Sequence, residues 1–172
     1  NGLREDKIFS SLKKIKDVNG RLELIRTFPN NVKVYVDFAH TPDALEKTLK
    51  SLQNYYGKDI SLVFGCGGDR DFKKRPIMAK IASINCKNIY VTDDNPRNED
   101  PQRIRNEIIK NIKFTNYFNI GNRTRAIKTA VMNAEPGEII LVAGKGHEKE
   151  QIYKNRIISI SDSQIIKKLK IK

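Results

Sequence analysis
Two apolar patterns alternate along the chain, and their order predicts a fold. Val34-Tyr35-Val36, Leu62-Val63-Phe64, Ile89-Tyr90-Val91 and Ile139-Ile140-Leu141-Val142 are short, nearly uniform apolar runs. Runs of this kind read as strands buried on both faces. Between them, apolar residues recur at helical spacing: Leu45, Leu49 and Leu52; Ile77, Met78, Ile81 and Ala82; Ile104, Ile108 and Ile112; Ala126, Ile127, Ala130 and Val131. Start signals agree. Thr41-Pro42-Asp43 offers a hydroxyl cap, a proline in the first turn and a carboxylate at the positive end of the helix dipole. Pro76 and Pro101 open two further helices, and Ser161 with Gln164 forms a capping box ahead of Ile165, Ile166 and Leu169. An amphipathic helix over 3–16 (Ile8, Leu12, Ile15) is expected to end at Asn19-Gly20. A strand over 21–28 is expected to alternate Leu22 and Leu24 against Arg21 and Glu23, and a second strand follows over 32–37. A weak strand at 117–120 and a hairpin around Lys154-Asn155 complete the set.

Strands alternating with helices give an α/β class: a mostly parallel sheet with helices on both faces. Such sheets bind ligands beyond the carboxyl ends of their strands. The loops after Val36, Phe64, Val91 and Ala143 should therefore converge on one crevice, and they hold both histidines of the chain, His40 and His147.

Composition changes this picture little. The formal net charge is +13, from 33 Lys and Arg against 20 Asp and Glu, but the cations are spread along the chain rather than gathered with aromatics. A basic, solvated surface that attracts anions is expected, and no nucleic acid partner. No run approaches the roughly 18 apolar residues of a membrane helix, and no basic-then-apolar secretory leader opens the chain. A cytoplasmic protein that does not engage a membrane is expected. Cys66 and Cys86 have no metal-ligand spacing and imply no disulfide framework. The missing initiator Met suggests an excised domain.

The strand-end loops carry the candidate chemistry. In Gly65-Cys66-Gly67-Gly68-Asp69-Arg70, glycines let backbone approach a ligand closely and Arg70 can clamp a carboxylate or phosphate; equally, this can be a tight turn that needs positive φ. It matches neither G-x-G-x-x-G nor G-x-x-x-x-G-K-[ST]. Asp93-Asp94-Asn95-Pro96-Arg97 can be a plain turn, yet an Asn amide and an Arg fork suit a ligand bearing both ammonium and carboxylate. Gly144-Lys145-Gly146-His147-Glu148 offers backbone donors and one carboxylate. Asp37 can bond ribose hydroxyls and His40 can flank a base or phosphate; a helix entry is the alternative. With no G-x-S-x-G elbow and no zinc spacing, the residues alone reach a domain that binds charged small molecules.

Taken in order, Val36-Asp37-Phe38-Ala39-His40-Thr41-Pro42-Asp43-Ala44-Leu45, Phe64-Gly65-Cys66-Gly67-Gly68-Asp69-Arg70-Asp71, Thr92-Asp93-Asp94-Asn95-Pro96-Arg97 and Val142-Ala143-Gly144-Lys145-Gly146-His147-Glu148 resemble the Mur ligase family. The resemblance runs from Gly20 to the last helix. It implies a Rossmann-like C-terminal domain over 20–172 whose mostly parallel sheet has one antiparallel strand, preceded over 1–19 by the last helix of a central ATPase domain and a linker. It also implies an ATP-driven amide ligation, in which phosphate passes to a D-glutamate carboxylate and an incoming amine displaces it. Mg2+ and the phosphate-gripping loop would belong to the central domain, so no catalytic residue is expected here and the piece alone should not turn over. By position, Arg21, Asp37 and His40 resemble ATP contacts. Arg70, Asp94, Asn95, Arg97, Gly144 and Glu148 resemble a meso-diaminopimelate site, with Arg97 on the distal carboxylate and Gly144 and Glu148 receiving the distal ammonium. Lysine-adding relatives generally lack that Arg, because lysine has no distal carboxylate to pair with it. The implied partners are meso-diaminopimelate, ATP and the UDP-N-acetylmuramoyl-dipeptide, taken up by a monomer; a lysine-adding relative or a stand-alone amino-acid or nucleotide module are the alternatives. Phe38 stands where the family usually has Tyr, Leu22 where it has Met, and Asp71-Phe72-Lys73 where a Gly-containing turn is common.

Overall fold
The computed structural model describes Lys7 and residues 18–57, 59–113 and 115–170; the helix expected over 3–16 lies outside them apart from Lys7. The elements run β1 (Glu23–Thr27), β2 (Lys33–Asp37), α1 (Pro42–Tyr56), β3 (Ile60–Phe64), α2 (Lys74–Asn85), β4 (Asn88–Val91), α3 (Pro101–Ile109), β5 (Asn116–Asn119), α4 (Arg123–Asn133), β6 (Ile139–Ala143), β7 (Glu150–Tyr153), β8 (Arg156–Ser159) and α5 (Asp162–Lys168). Six strands form one sheet in the order β1-β2-β6-β3-β4-β5, and β7-β8 form a separate hairpin. Only the β1–β2 pairing in the sheet is antiparallel; the others are parallel. The expected α/β class, with its single antiparallel strand, is the observed one.

Residues on each strand alternate between two cores. Ile60, Leu62 and Phe64 of β3 and Ile139, Leu141 and Ala143 of β6 pack with Leu45, Leu49, Met78, Ile104 and Ile108 from α1, α2 and α3. Val63, Ile140, Val142, Val34 and Val36 point the other way, to Ala126, Ile127, Ala130 and Val131 of α4 and Ile166 of α5. Both faces are covered, which is why these strands read as continuous apolar runs. Each fully buried Leu or Ile contributes about 1.5–3 kcal/mol relative to exposure. The chain after β2 crosses by α1 to β3, and the chain after β5 crosses by α4 to β6, which lies between β2 and β3. The two crossovers use opposite faces, so a crevice opens at the carboxyl ends of β2, β6 and β3.

Three expectations need correction. Leu22 and Leu24 do not face a core: they are 37% and 42% exposed, because β1 is a bulged edge strand and Phe28 and Ile25 carry its packing. Helix α2 starts at Lys74, not Pro76, since a proline anywhere in the first turn lacks only an N–H that had no partner. Ile77 is not buried but 49% exposed. The inward stripe of α2 is Arg75, Met78, Ala79 and Ala82, a helical spacing that turns Ile77 toward the cleft described next. The remaining elements match the expected ones within two residues, except that α3 ends at Ile109, so Ile112 is buried from the turn after the helix rather than from its stripe. The caps Thr41, Asp100 and Ser161 each accept a hydrogen bond from a first-turn N–H.

Candidate active-site cleft
The four strand-end loops converge. A cleft of about 500 Å³ is lined by His40 and Thr41 after β2, Gly65, Gly67 and Arg70 after β3, Asp94, Asn95 and Arg97 after β4, and Gly144 and Glu148 after β6, with Lys74 and Ile77 from the head of α2. Six of the nine candidate residues, those read as an amino-acid site, share this wall with His40. Arg21 and Asp37 are not among the lining residues.

Two braces fix the loops. On one side, Arg75 is 1% exposed and its Nη2 donates to the Gly67 carbonyl at 3.2 Å and to Glu99 Oε1 at 2.8 Å. Its Nη1 reaches Glu107 Oε2 at 2.7 Å. Glu99 also accepts from the Asp69 amide at 2.7 Å, so the glycine turn that presents Arg70 is tied to α2 and α3. Hydrogen bonds from Arg75 hold the Glu99 and Glu107 carboxyls below the usual carboxylate range. On the other side, the β7–β8 hairpin buttresses the loop after β4. Gln151 Nε2 donates to the Asp93 carbonyl at 2.9 Å, the Ile152 amide to Asn95 Oδ1 at 3.0 Å, and Tyr153 OH to Asp93 Oδ2 at 2.9 Å. Burial and that last hydrogen bond push the Tyr153 phenol up.

The glycines of the turn after β3 answer close approach rather than positive φ. In that turn the left-handed residue is Asp69, at φ 51, and a Cβ on Gly67 would lie 2.9 Å from Arg97 Nη1. Gly144 needs both freedoms: its φ is 110 and a Cβ there would sit 2.8 Å from Asp94 Oδ2. Arg97 itself is left-handed, at φ 52. Non-glycine residues in that region carry strain and cluster at functional sites. Its amide donates to the Ile152 carbonyl at 3.0 Å and its Nη1 to the Gly68 carbonyl at 2.9 Å, which leaves Nε and Nη2 uncommitted in those bonds.

In the same cleft, Glu148 Oε2 accepts from Asn95 Nδ2 at 3.0 Å and from Lys145 Nζ at 2.8 Å. Burial pushes the Glu148 carboxyl upward, but Lys145, Asn95 and the charge of Arg97 outweigh it and hold the group below the usual range. A guanidinium fork and an ionised carboxylate thus share one hollow. Lys145, 1% exposed, is a member that the sequence reading passed over. A lysine between glycines at a strand end looks like a solvated turn residue, and only its placement in the fold reveals otherwise. Cys66, although in the glycine turn, is no nucleophile: burial pushes its thiol up to about 12.

The remaining candidates form a second group around Phe38. Arg21 lies over its ring at 4.5 Å from the centroid, His40 meets it edge-on at 4.6 Å, and His147 stacks at 5.8 Å. His40 Nδ1 is 2.8 Å from the Phe38 carbonyl. Asp37 is turned inward and 8% exposed. Its Oδ2 accepts from the Leu22 amide at 2.5 Å and its Oδ1 from the Ala39 amide at 2.7 Å, so it ties the approach to β1 onto the end of β2.

A second hollow, of about 470 Å³, lies beyond the hairpin between Asp93, Arg105, Arg123, Tyr153 and Arg156. Two of its cations already have partners: the half-buried Arg105 bonds Asp93, and the buried Arg123 bonds Asp162.

The profile of the Mur ligase, glutamate ligase domain matches residues 20–146. The chain belongs to the Mur ligase family. It is 46% identical over 169 residues to the UDP-N-acetylmuramoyl-L-alanyl-D-glutamate--2,6-diaminopimelate ligase of Rickettsia typhi, covering 97% of this chain and 34% of that one. With the protein of the same name from Bradyrhizobium diazoefficiens it shares 42% over 159 residues, 92% of this chain and 32% of the relative. A solved structure of a UDP-N-acetylmuramoyl-L-alanyl-D-glutamate--2,6-diaminopimelate ligase superposes with a TM-score of 0.80 at 35% identity, over 96% of this chain and 34% of that one. This Mur ligase domain thus spans about a third of the length of the curated relatives it matches.

Proposed function
We propose that the chain is the amino-acid-recruiting C-terminal domain of an ATP-dependent cytoplasmic ligase that joins meso-diaminopimelate to UDP-N-acetylmuramoyl-L-alanyl-D-glutamate. Residues 20–172 form that domain, and 1–19 lead into it from a central ATPase domain. The observation that carries the reading is the single cleft whose lining brings together Arg97, Asn95, Glu148 and Arg70. A diamino diacid has a distal carbon bearing both an ammonium and a carboxylate. The Arg97 fork suits the carboxylate, and Glu148 suits the ammonium, in a site half removed from water where both pairings strengthen. Asn95 and Asp94 line the same cleft, Gly144 leaves room for the chain, and Arg70 from the glycine turn can hold the proximal carboxylate.

ATP, with Mg2+ held mainly outside this chain, supplies the phosphate that activates the dipeptide's carboxylate as an acyl phosphate. The residues present fit a polyanion carrying a flat base: Arg21, Phe38 and His40 join a cation, an aromatic face and an imidazole at the rim of the cleft. Asp37 holds that rim together and can still offer a lone pair to a ribose hydroxyl. The domain's own part in the reaction is to bind and orient: with the distal end clamped, the proximal amine points out of the cleft toward the activated carboxylate, a gain of proximity rather than of acid–base chemistry.

Calorimetric titration of meso-diaminopimelate into the full-length protein, with lysine as control, tests this. Diaminopimelate is expected to bind at least about tenfold tighter, because lysine leaves the Arg97 guanidinium without a carboxylate. Equal or tighter binding of lysine would overturn the substrate assignment.

A further inference from the structure
One charged group at the cleft has no part in the scheme above. Lys145 sits between two left-handed glycines, Gly144 at φ 110 and Gly146 at φ 53, and this double reversal carries its side chain under the cleft rather than into water. A buried ammonium is costly unless it is paired and hydrogen-bonded. Its Nζ donates to Asn95 Oδ1 at 3.0 Å and to Glu148 Oε2 at 2.8 Å. Asn95 Oδ1 also accepts from the Ile152 amide at 3.0 Å, and Asn95 Nδ2 donates to Glu148 Oε2 at 3.0 Å. Two donors on Oδ1 mean that the amide cannot flip without setting its NH2 against both. Two donors on Oε2 commit that oxygen and leave Oε1 for a ligand.

We propose that Lys145 is a positioning residue for amino-acid capture: it locks the Asn95 amide in one orientation and commits one oxygen of Glu148, so that the other meets the substrate's distal ammonium. The inference rests on the amino-acid reading of the cleft. Cations face Glu148 from each element packed against it: Lys145 from its own turn, Arg97 from the loop after β4, and Arg123 from the head of α4. Among them Lys145 alone both contacts the carboxylate and orders its neighbour. Removing its charge while burial persists should let the Glu148 carboxyl rise, so that a higher pH is needed to ionise it.

The test is steady-state kinetics of the full-length enzyme with Lys145→Met, varying diaminopimelate and ATP in turn along the acid side of the pH profile. KM for diaminopimelate is expected to rise about tenfold or more, with KM for ATP unchanged. The acid limb of kcat/KM for diaminopimelate should move to higher pH, and Lys145→Arg should restore part of both effects. A uniform loss in kcat and in both KM values, with the acid limb unmoved, would mean a structural role only and overturn the proposal, as would no change at all. Should the Met variant fail to fold, Lys145→Gln keeps a donor for the Asn95 oxygen without the charge. It is expected to shift the acid limb, and a wild-type profile there also overturns the proposal. Arg97→Ala run in parallel separates the two ideas: if that variant keeps its KM for diaminopimelate, the amino-acid reading itself has failed.

Discussion

Arg97→Ala is expected to weaken capture of meso-diaminopimelate by the full-length enzyme by about 2–5 kcal/mol, or roughly 30-fold to several thousand-fold in KM, with the KM for ATP little changed. The size follows from the setting. The guanidinium is half-buried, one nitrogen is fixed on the Gly68 carbonyl at 2.9 Å, and the backbone is pinned to Ile152 at 3.0 Å. A carboxylate placed against the free edge therefore gains two directed, charge-assisted hydrogen bonds at little cost in side-chain freedom. Truncation removes both and leaves the substrate's distal carboxylate desolvated without a partner. Arg97→Lys should rescue little, because an ammonium is a point donor and cannot reproduce the fork. Lysine, used as a poor substrate, should lose nothing and can gain, since the unpaired cation goes with the mutation. Steady-state rates with both amino acids check this, and an unaltered KM for diaminopimelate in the Ala variant contradicts it.

The second large effect concerns stability. Arg123 and Asp162 form a two-pronged ion pair, Nε to Oδ1 at 2.8 Å and Nη2 to Oδ2 at 2.7 Å, with side chains 0% and 1% exposed. Arg123 Nη2 also donates to the Ala143 carbonyl at 3.0 Å, so the pair ties α4 and α5 to the last residue of β6, next to Gly144. Asp162→Ala strands a buried guanidinium, one of whose nitrogens, Nη1, already lacks a partner, and is expected to cost about 3–5 kcal/mol. Removing both charges, as Arg123→Met with Asp162→Leu, should cost much less, because the desolvation penalty disappears with the attraction. Denaturant unfolding of the chain gives both values; equal losses in the single and double variants would contradict the pairing account.

Both of these residues, with Arg75, mark where the sequence was hardest to read. Strands and helices were legible because the core dictates them: β3 and β6 are covered on both faces and so are apolar throughout, and α1 keeps Leu45, Leu49 and Leu52 on one stripe. The convergence of four loops followed from parallel strands alone. Arg75 stands in helical register with Met78, Ala79 and Ala82, and Arg123 with Ala126, Ile127 and Ala130. An arginine on an apolar stripe is a signal of a buried, paired cation, and taking that stripe as purely apolar is what placed Ile77 inward. Leu22 and Leu24 misled for the opposite reason, since an edge strand need not bury its apolar side. Lys145 left no signal of its own. Its burial depends on two glycine torsions and on where Asn95 and Glu148 arrive, and both are set by tertiary structure rather than by local pattern.

The central claim is that one cleft holds both charges of the substrate's far end. A crystal structure of the full-length protein with meso-diaminopimelate tests it most directly. The account predicts the distal carboxylate within hydrogen-bond reach of Arg97 and the distal ammonium on Glu148 Oε1, with Lys145 and Asn95 unmoved beneath them. A ligand seated with its distal end elsewhere, such as in the hollow beside Arg105 and Arg156, would contradict it.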